Sequence, residues 1–443
     1  MEKKSNGRWF MAIMAMLLMV CLGTVYAWSY FQTPIMKGFG WNNAQVSLTF
    51  SFAIFFLGVS AAVGGIILPK VGPRVLAISG SILFSLGYAI AGIALSMKSL
   101  PLLYIGYGVI GGTGLGLGYV TPVATISKWF PDRKGLATGI VIMGFGLGAL
   151  VMSKILAPTL LAWTGGNLVT VFLLLAALFF VLTILTSLSL RNPPQGWAPA
   201  GMPKQSAKGQ GKKTAQASAV APKSPAEAYK EASGDIFSKR FALVWIMFFC
   251  NITAGITIVG FQSPMFQDLW RKTNPALAPE ALATLGATLI AITSLFNGFG
   301  RFFWGAVSDR AGRIKTFRIM LGSELVIFAV LILTGNPWIF AALLCWILLC
   351  YGGGFGTMPA TISELFGQAK SGVIYGVVLT AWSAGGVIGP QITAFIKDKV
   401  PERASTLSFI VGAAFVAVGF AVSLLIPVAA KAATATAPSA PKR

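Results

Sequence analysis

The sequence contains no histidine, only four cysteines and only 12 acidic side chains in 443 residues. The missing imidazole removes the commonest neutral metal ligand and the one side chain whose ordinary pKa lies near physiological pH. Cys21, Cys250, Cys345 and Cys350 all fall inside apolar runs, without the paired spacing of a metal site. A disulfide framework, a metal centre and histidine or paired-carboxylate catalysis are therefore not expected, the chain does not read as an enzyme, and no cofactor is implied. Charge of either sign is scarce as well: 10% of the residues are charged, against roughly 25% in a soluble globular domain. That scarcity excludes an ordinary soluble protein. In its place 56% of the chain is hydrophobic, in runs long enough to cross ~30 Å of hydrocarbon as helices. The alternating ten-residue segments of a membrane β-barrel do not occur.

Apolar stretches bounded by charge, Pro or Gly predict an all-α membrane protein with twelve spans, near 9–34, 44–68, 75–96, 101–123, 136–158, 167–189, 240–266, 281–306, 316–334, 338–362, 372–394 and 404–427. No small-residue cleavage site follows the first run, which reads as a retained span rather than a signal peptide. Placing the N-terminus in the cytoplasm puts 25 of the 34 Lys and Arg on that side and seven on the other, with Lys154 and Arg301 inside spans. Basic loops resist translocation, so both termini are expected in the cytoplasm of a multi-pass protein of the plasma membrane, the bacterial inner membrane. The net charge of +22 is accordingly a topology signal, and no nucleic acid partner is expected. Membrane lipid is the expected surrounding and a monomer the expected working unit. Residues 191–239, rich in Pro, Ala, Ser and Lys, read as a disordered cytoplasmic linker between a bundle at 1–190 and a bundle at 240–428, with a disordered tail at 429–443.

The two halves repeat each other. Ala124-Thr-Ile-Ser-x-x-Phe130 returns as Ala360-Thr-Ile-Ser-x-x-Phe366, and Gly65-x6-Gly72-Pro-Arg74 parallels Gly305-x6-Gly312-Arg313. Nearly equal offsets at the same topological place point to a duplicated six-helix unit. Two such bundles face each other across a midplane cleft and expose it to each side in turn.

Gly305-Ala-Val-Ser-Asp309-Arg310-Ala-Gly312-Arg313 resembles the signature of the major facilitator superfamily. Trp129-Phe-Pro-Asp132-Arg133-Lys-Gly-Leu-Ala-Thr-Gly139 and Tyr351-Gly-Gly-Gly-Phe-Gly-Thr-Met-Pro359 resemble, more narrowly, the oxalate:formate antiporter family, kin of the monocarboxylate transporters. The resemblance implies two pseudo-symmetric six-helix bundles and alternating access. It implies conformational gating by Asp309, Arg310 and Arg313, which bridge helix ends on the inner face in the outward-open state, and by Asp132 and Arg133. In the first half Pro69 stands where the signature has Asp.

Arg301 lies eight residues before Asp309, hence ~12 Å deep. An Arg there costs ~3 kcal/mol on insertion scales and marks a polar cavity. The resemblance makes it the ligand of a substrate carboxylate, which its planar fork can grip with two hydrogen bonds. It also places Tyr26, Tyr119, Tyr351, Phe355, Leu379 and Trp382 around the substrate, Trp382 standing where the oxalate transporter proper has Lys. Asn297, one turn before Arg301, is expected to orient it, to bind substrate, or to make a plain interhelical hydrogen bond. The glycine run from Gly106 to Gly118 serves close helix approach; no strand precedes it, so it is not a dinucleotide fingerprint. No residue is assigned to proton coupling, Glu324 being a weak candidate beside a structural role, and Lys154 reads as a snorkelling end residue. The expected function is secondary transport of a small monocarboxylate such as lactate or pyruvate, linked to protons. Anion exchange of the oxalate:formate type and a non-transporting membrane carboxylate sensor are the alternatives.

Overall fold

The computed structural model describes residues 3–130, 134–194, 225–367 and 370–427, and every regular element among them is a helix. Twelve are long and apolar enough to cross a membrane: Gly7–Phe39, Asn43–Val71, Pro73–Ser96, Leu100–Trp129, Leu136–Trp163, Leu168–Leu188, Lys239–Thr273, Pro279–Ala311, Arg313–Leu333, Pro337–Phe366, Ser371–Lys399 and Pro401–Leu425, here spans one to twelve. They coincide with the twelve expected stretches and most run a few residues further. In hydrocarbon every amide has to be bonded within its own segment, so a helix continues until a residue actively ends it. Asn42 starts span two with a capping box, its side chain accepting from the Gln45 N–H while the Gln45 side chain accepts from its own. Gly72 and Gly312 end spans two and eight at φ of 84° and 91°, a left-handed turn that only glycine adopts without strain. They are repeat mates in the sequence, and the shared conformation agrees with the duplication.

Small residues set how closely spans eight and ten approach. A Cβ on Gly356 would collide with the Arg301 carbonyl, and one on Gly352 with the Asn297 carbonyl. The two backbones therefore touch, and the rotation of span eight about its axis is fixed at Arg301. Two spans are locally interrupted where they pass that level. Span one tightens into a 3₁₀ turn over Thr24–Ala27, carrying Tyr26, and span eleven breaks at Leu379 between helices Ser371–Val378 and Thr380–Lys399.

Contacts between the first six spans and the last six differ at the two ends of the molecule. At the end away from the chain termini, Asp398 of span eleven caps the start of span two. Its Oδ1 accepts from the Asn43 backbone N–H (3.0 Å) and Nδ2 (2.9 Å), and its Oδ2 from the Ala44 N–H (2.8 Å). Ser383 donates to the Phe55 carbonyl, Ser294 to the Gly146 carbonyl, and Lys154 to Thr288. At the terminal face the same groups of spans part around a cavity of about 950 Å³, lined among others by Gly65, Lys128, Leu136, Asp309, Arg313 and Glu364.

The expected disordered linker is corrected in its last part. Pro225–Ile236 forms a helix whose Ala232 and Ile236 are buried and whose Asp235 pairs with Lys370 at 2.7 Å. Pro opens this helix and Ala and Glu fill its first turns, a composition that favours helix once a neighbour covers its apolar positions. The Asp235 carboxylate holds the Lys370 ammonium above the usual lysine value. Residues 195–224, the tail from 428, and both Asp132 and Arg133 lie outside the described residues.

Candidate functional site

Arg301 stands at the inner end of the cavity, 1% exposed. Its Nη1 donates to the Tyr119 hydroxyl of span four at 3.5 Å, while Nε and Nη2 are buried with no hydrogen-bond partner. A buried guanidinium with two unspent donors is expensive, because charge and N–H groups both forgo water without replacement. The guanidinium carbon lies over two rings, 4.9 Å from the centroid of Phe355 on span ten and 5.5 Å from that of Phe145 on span five.

The other expected aromatics close a box around it. Tyr26 and Tyr351 share a hydrogen bond between their hydroxyls at 2.8 Å, joining span one to span ten. Tyr351 meets Phe355 edge-on at 5.3 Å, Phe355 meets Trp382 at 4.5 Å, and Trp382 meets Tyr119 at 5.4 Å. All are buried. Tyr119 and Arg301 line the cavity directly, together with Tyr375; Tyr26, Tyr351, Phe355 and Trp382 are packed beyond its inner end. The box is thus built from spans one, four, five, eight, ten and eleven. Its walls are apolar faces with hydroxyl and guanidinium donors at the corners, an arrangement whose chemistry complements an acceptor-rich group held away from water.

Two expected residues stand elsewhere. Asn297 is one turn from Arg301, but its amide oxygen, buried and without a partner, points at the backbone of Gly352 on span ten, in the contact between helices. Leu379 is buried at the break in span eleven, where its carbonyl accepts from the Trp382 N–H at 2.9 Å and packs against Gly58 of span two. Glu324 is fully buried, its Oε2 accepting from Asn251 Nδ2 at 3.3 Å and its Oε1 without a partner. It ties span nine to span seven and does not line the cavity.

At the cavity mouth Arg313 pairs with Asp309 at 2.5 Å and with Glu364 of span ten at 3.6 Å, and donates to Ser308. All these partners belong to the last six spans, so this cluster does not close the cavity towards the first six. Arg310 is exposed at the same face. Sequence reasoning missed Glu364, Tyr375 and Phe145. Glu364 was signalled: it is the fifth residue of the second Ala-Thr-Ile-Ser motif, and Lys128 holds the same place in the first. Phe145, an apolar residue between two glycines, carried no signal of its own.

The Major Facilitator Superfamily model matches residues 9–390. The chain is 29% identical over 395 residues to the oxalate:formate antiporter of Oxalobacter formigenes, covering 88% of this chain and 85% of that one. It is 26% identical over 367 residues to apicoplast pyruvate carrier 1 of Toxoplasma gondii, covering 75% and 65%, and 25% identical over 448 residues to monocarboxylate transporter 13 of Bos taurus, covering 96% and 91%. Among solved structures, a bacterial homolog of the human lysosomal transporter Spinster superposes with a TM-score of 0.64 at 16% identity, covering 95% of this chain and 97% of that one. This likeness extends to the fold.

Proposed function

We propose that this chain, a member of the major facilitator superfamily, carries a small monocarboxylate such as lactate or pyruvate across the bacterial inner membrane by alternating access. The observation that carries this reading is Arg301, buried at the end of the cavity with Nε and Nη2 unspent. These two nitrogens form the edge of the guanidinium that grips a carboxylate with two parallel hydrogen bonds. Tyr119 on Nη1 is placed to add a third donor. Relatives named for oxalate and formate, for pyruvate and for monocarboxylates agree with a carboxylate cargo.

One deep cation suits one negative charge. The other basic residues on the cavity wall, Lys128 and Arg313, stand at its mouth with partners in Asn192, Asp309 and Glu364. Trp382 puts an indole in the box where the oxalate transporter is expected to have a second cation. A dianion would therefore keep an uncompensated charge in a low-dielectric chamber. With both termini in the cytoplasm, the placement that the loop charges favour, the cavity opens inward.

Proton-linked uptake is the coupling favoured by loss of the second cation, since a monoanion and a proton move together without net charge. Exchange of one monoanion for another is the second reading, favoured by the unspent donors of Arg301: an empty carrier that closes must bury that charge unpaired. Uptake of labelled lactate into proteoliposomes tests both. Uptake driven by an imposed pH gradient into anion-free vesicles supports symport, and uptake that requires preloaded lactate or formate supports exchange. Absence of uptake of any monocarboxylate under either condition contradicts the transporter reading.

A further inference from the structure

We propose that Phe145 is a positioning residue for Arg301, its ring holding the guanidinium in place without consuming the N–H groups the substrate carboxylate needs. This rests on the reading of Arg301 as the carboxylate site. A carboxylate or carbonyl beside Arg301 would orient the guanidinium equally well, yet it would occupy the same donors as the cargo. An aromatic face offers a negative quadrupole and no hydrogen-bond acceptor, so it attracts the cation and leaves its N–H groups free.

The geometry of Phe145 fits that task. It is fully buried, and its ring lies under the Arg301 guanidinium carbon at 5.5 Å. Three other rings meet it at steep angles: Tyr119 at 5.1 Å, Tyr26 at 5.2 Å and Trp382 at 5.9 Å. Its backbone is pinned, because a Cβ on Gly23 of span one would collide with the Phe145 carbonyl and one on Gly148 with Gly23. Spans one and five are locked together at this level, and the ring has nowhere to retreat. Phe145 and Tyr119 come from the first six spans and Arg301 from the last six. Phe355, from the same six spans as Arg301, faces the guanidinium at 4.9 Å; Phe145 adds a contact from across the central cleft, and a movement of one group of spans against the other displaces its ring from the guanidinium.

The test compares concentration dependence of labelled lactate uptake in proteoliposomes for the unmodified chain, Phe145→Leu, Phe145→Tyr and Arg301→Lys. Leu keeps apolar volume and removes the ring; Tyr keeps the ring. The half-saturating concentration should rise about threefold to thirtyfold in Phe145→Leu, with the maximal rate per reconstituted protein within about twofold, and should return close to the unmodified value in Phe145→Tyr. Phe145→Met serves in place of Leu if the latter does not insert, with the same expectation. An unchanged half-saturating concentration without the ring, a loss confined to the maximal rate, or a Tyr variant as poor as Leu overturns the proposal. Wild-type uptake by Arg301→Lys would remove the carboxylate reading itself; impaired Arg301→Lys beside an unaffected Phe145→Leu removes only the role of the ring.

Discussion

Arg301 is buried at the inner end of the cavity with two donors unspent. Its depth in the eighth span follows from counting back from Asp309, and the cost of burying it points to a purpose. Replacing it with Lys keeps the charge and loses the planar fork, so carboxylate transport should fall steeply while the protein still inserts; wild-type rates in Arg301→Lys would sink the assignment. Tyr119 donates nothing to Arg301 but accepts from its Nη1, so its own O–H is not spent on the guanidinium. Tyr119→Phe should weaken apparent affinity by about 1 kcal/mol, roughly fivefold, and an unchanged half-saturating concentration would return the ring to packing. Trp382→Lys adds a second cation to the box. It should lower lactate transport and raise competition by oxalate, and no shift towards oxalate in that variant would remove charge matching as the basis of selection. The aromatics named from the sequence do meet around Arg301, because each sits at a level that repeat and resemblance had already matched. Asn297 does not, since helical spacing gives the turn on which a side chain lies but not the neighbour it faces.

Among the elements, spans two and eleven carry the clearest sign of state. Asp398 binds the first amides of span two with both oxygens, and three charge-assisted hydrogen bonds to a helix N-terminus hold the far end closed. Opening the cleft on that side requires them to break. Asp398→Ala should therefore shift the population towards the far-open form by on the order of 1 kcal/mol, the scale left to exposed charge contacts after screening. Spin labels at Lys37 and Lys399 would report it as a growing long-distance component, and an unchanged distance distribution would mean that other contacts set the balance. The spans themselves were legible from apolar runs and basic loops. The break at Leu379 was not, because no Gly or Pro stands at the break itself and Gly376, a turn earlier, is one of many glycines in the spans. The helix Pro225–Ile236 was hidden for a related reason: its composition is polar, and only burial of Ala232 and Ile236 against neighbours distant in sequence makes it worth forming.

As a whole, the molecule is a superfamily transporter with a cavity open at the terminal face and a ring-lined cationic site at its inner end. The duplication was visible in two short motifs, and their structural counterparts, Gly72 and Gly312 at the same turn conformation, show why those positions were kept. What the sequence could not display is the division of labour at the site, where Tyr119 and Phe145 from one side meet Arg301 and Phe355 from the other. Selection of one carboxylate by one buried guanidinium underlies every role assigned to the site. It is tested most directly by competition against labelled lactate uptake in proteoliposomes of the unmodified chain, using pyruvate, oxalate and the uncharged amide of lactate as competitors. Strong competition by pyruvate, weak competition by oxalate and none by the amide are expected. Oxalate as the strongest competitor, or an amide as effective as pyruvate, would contradict it.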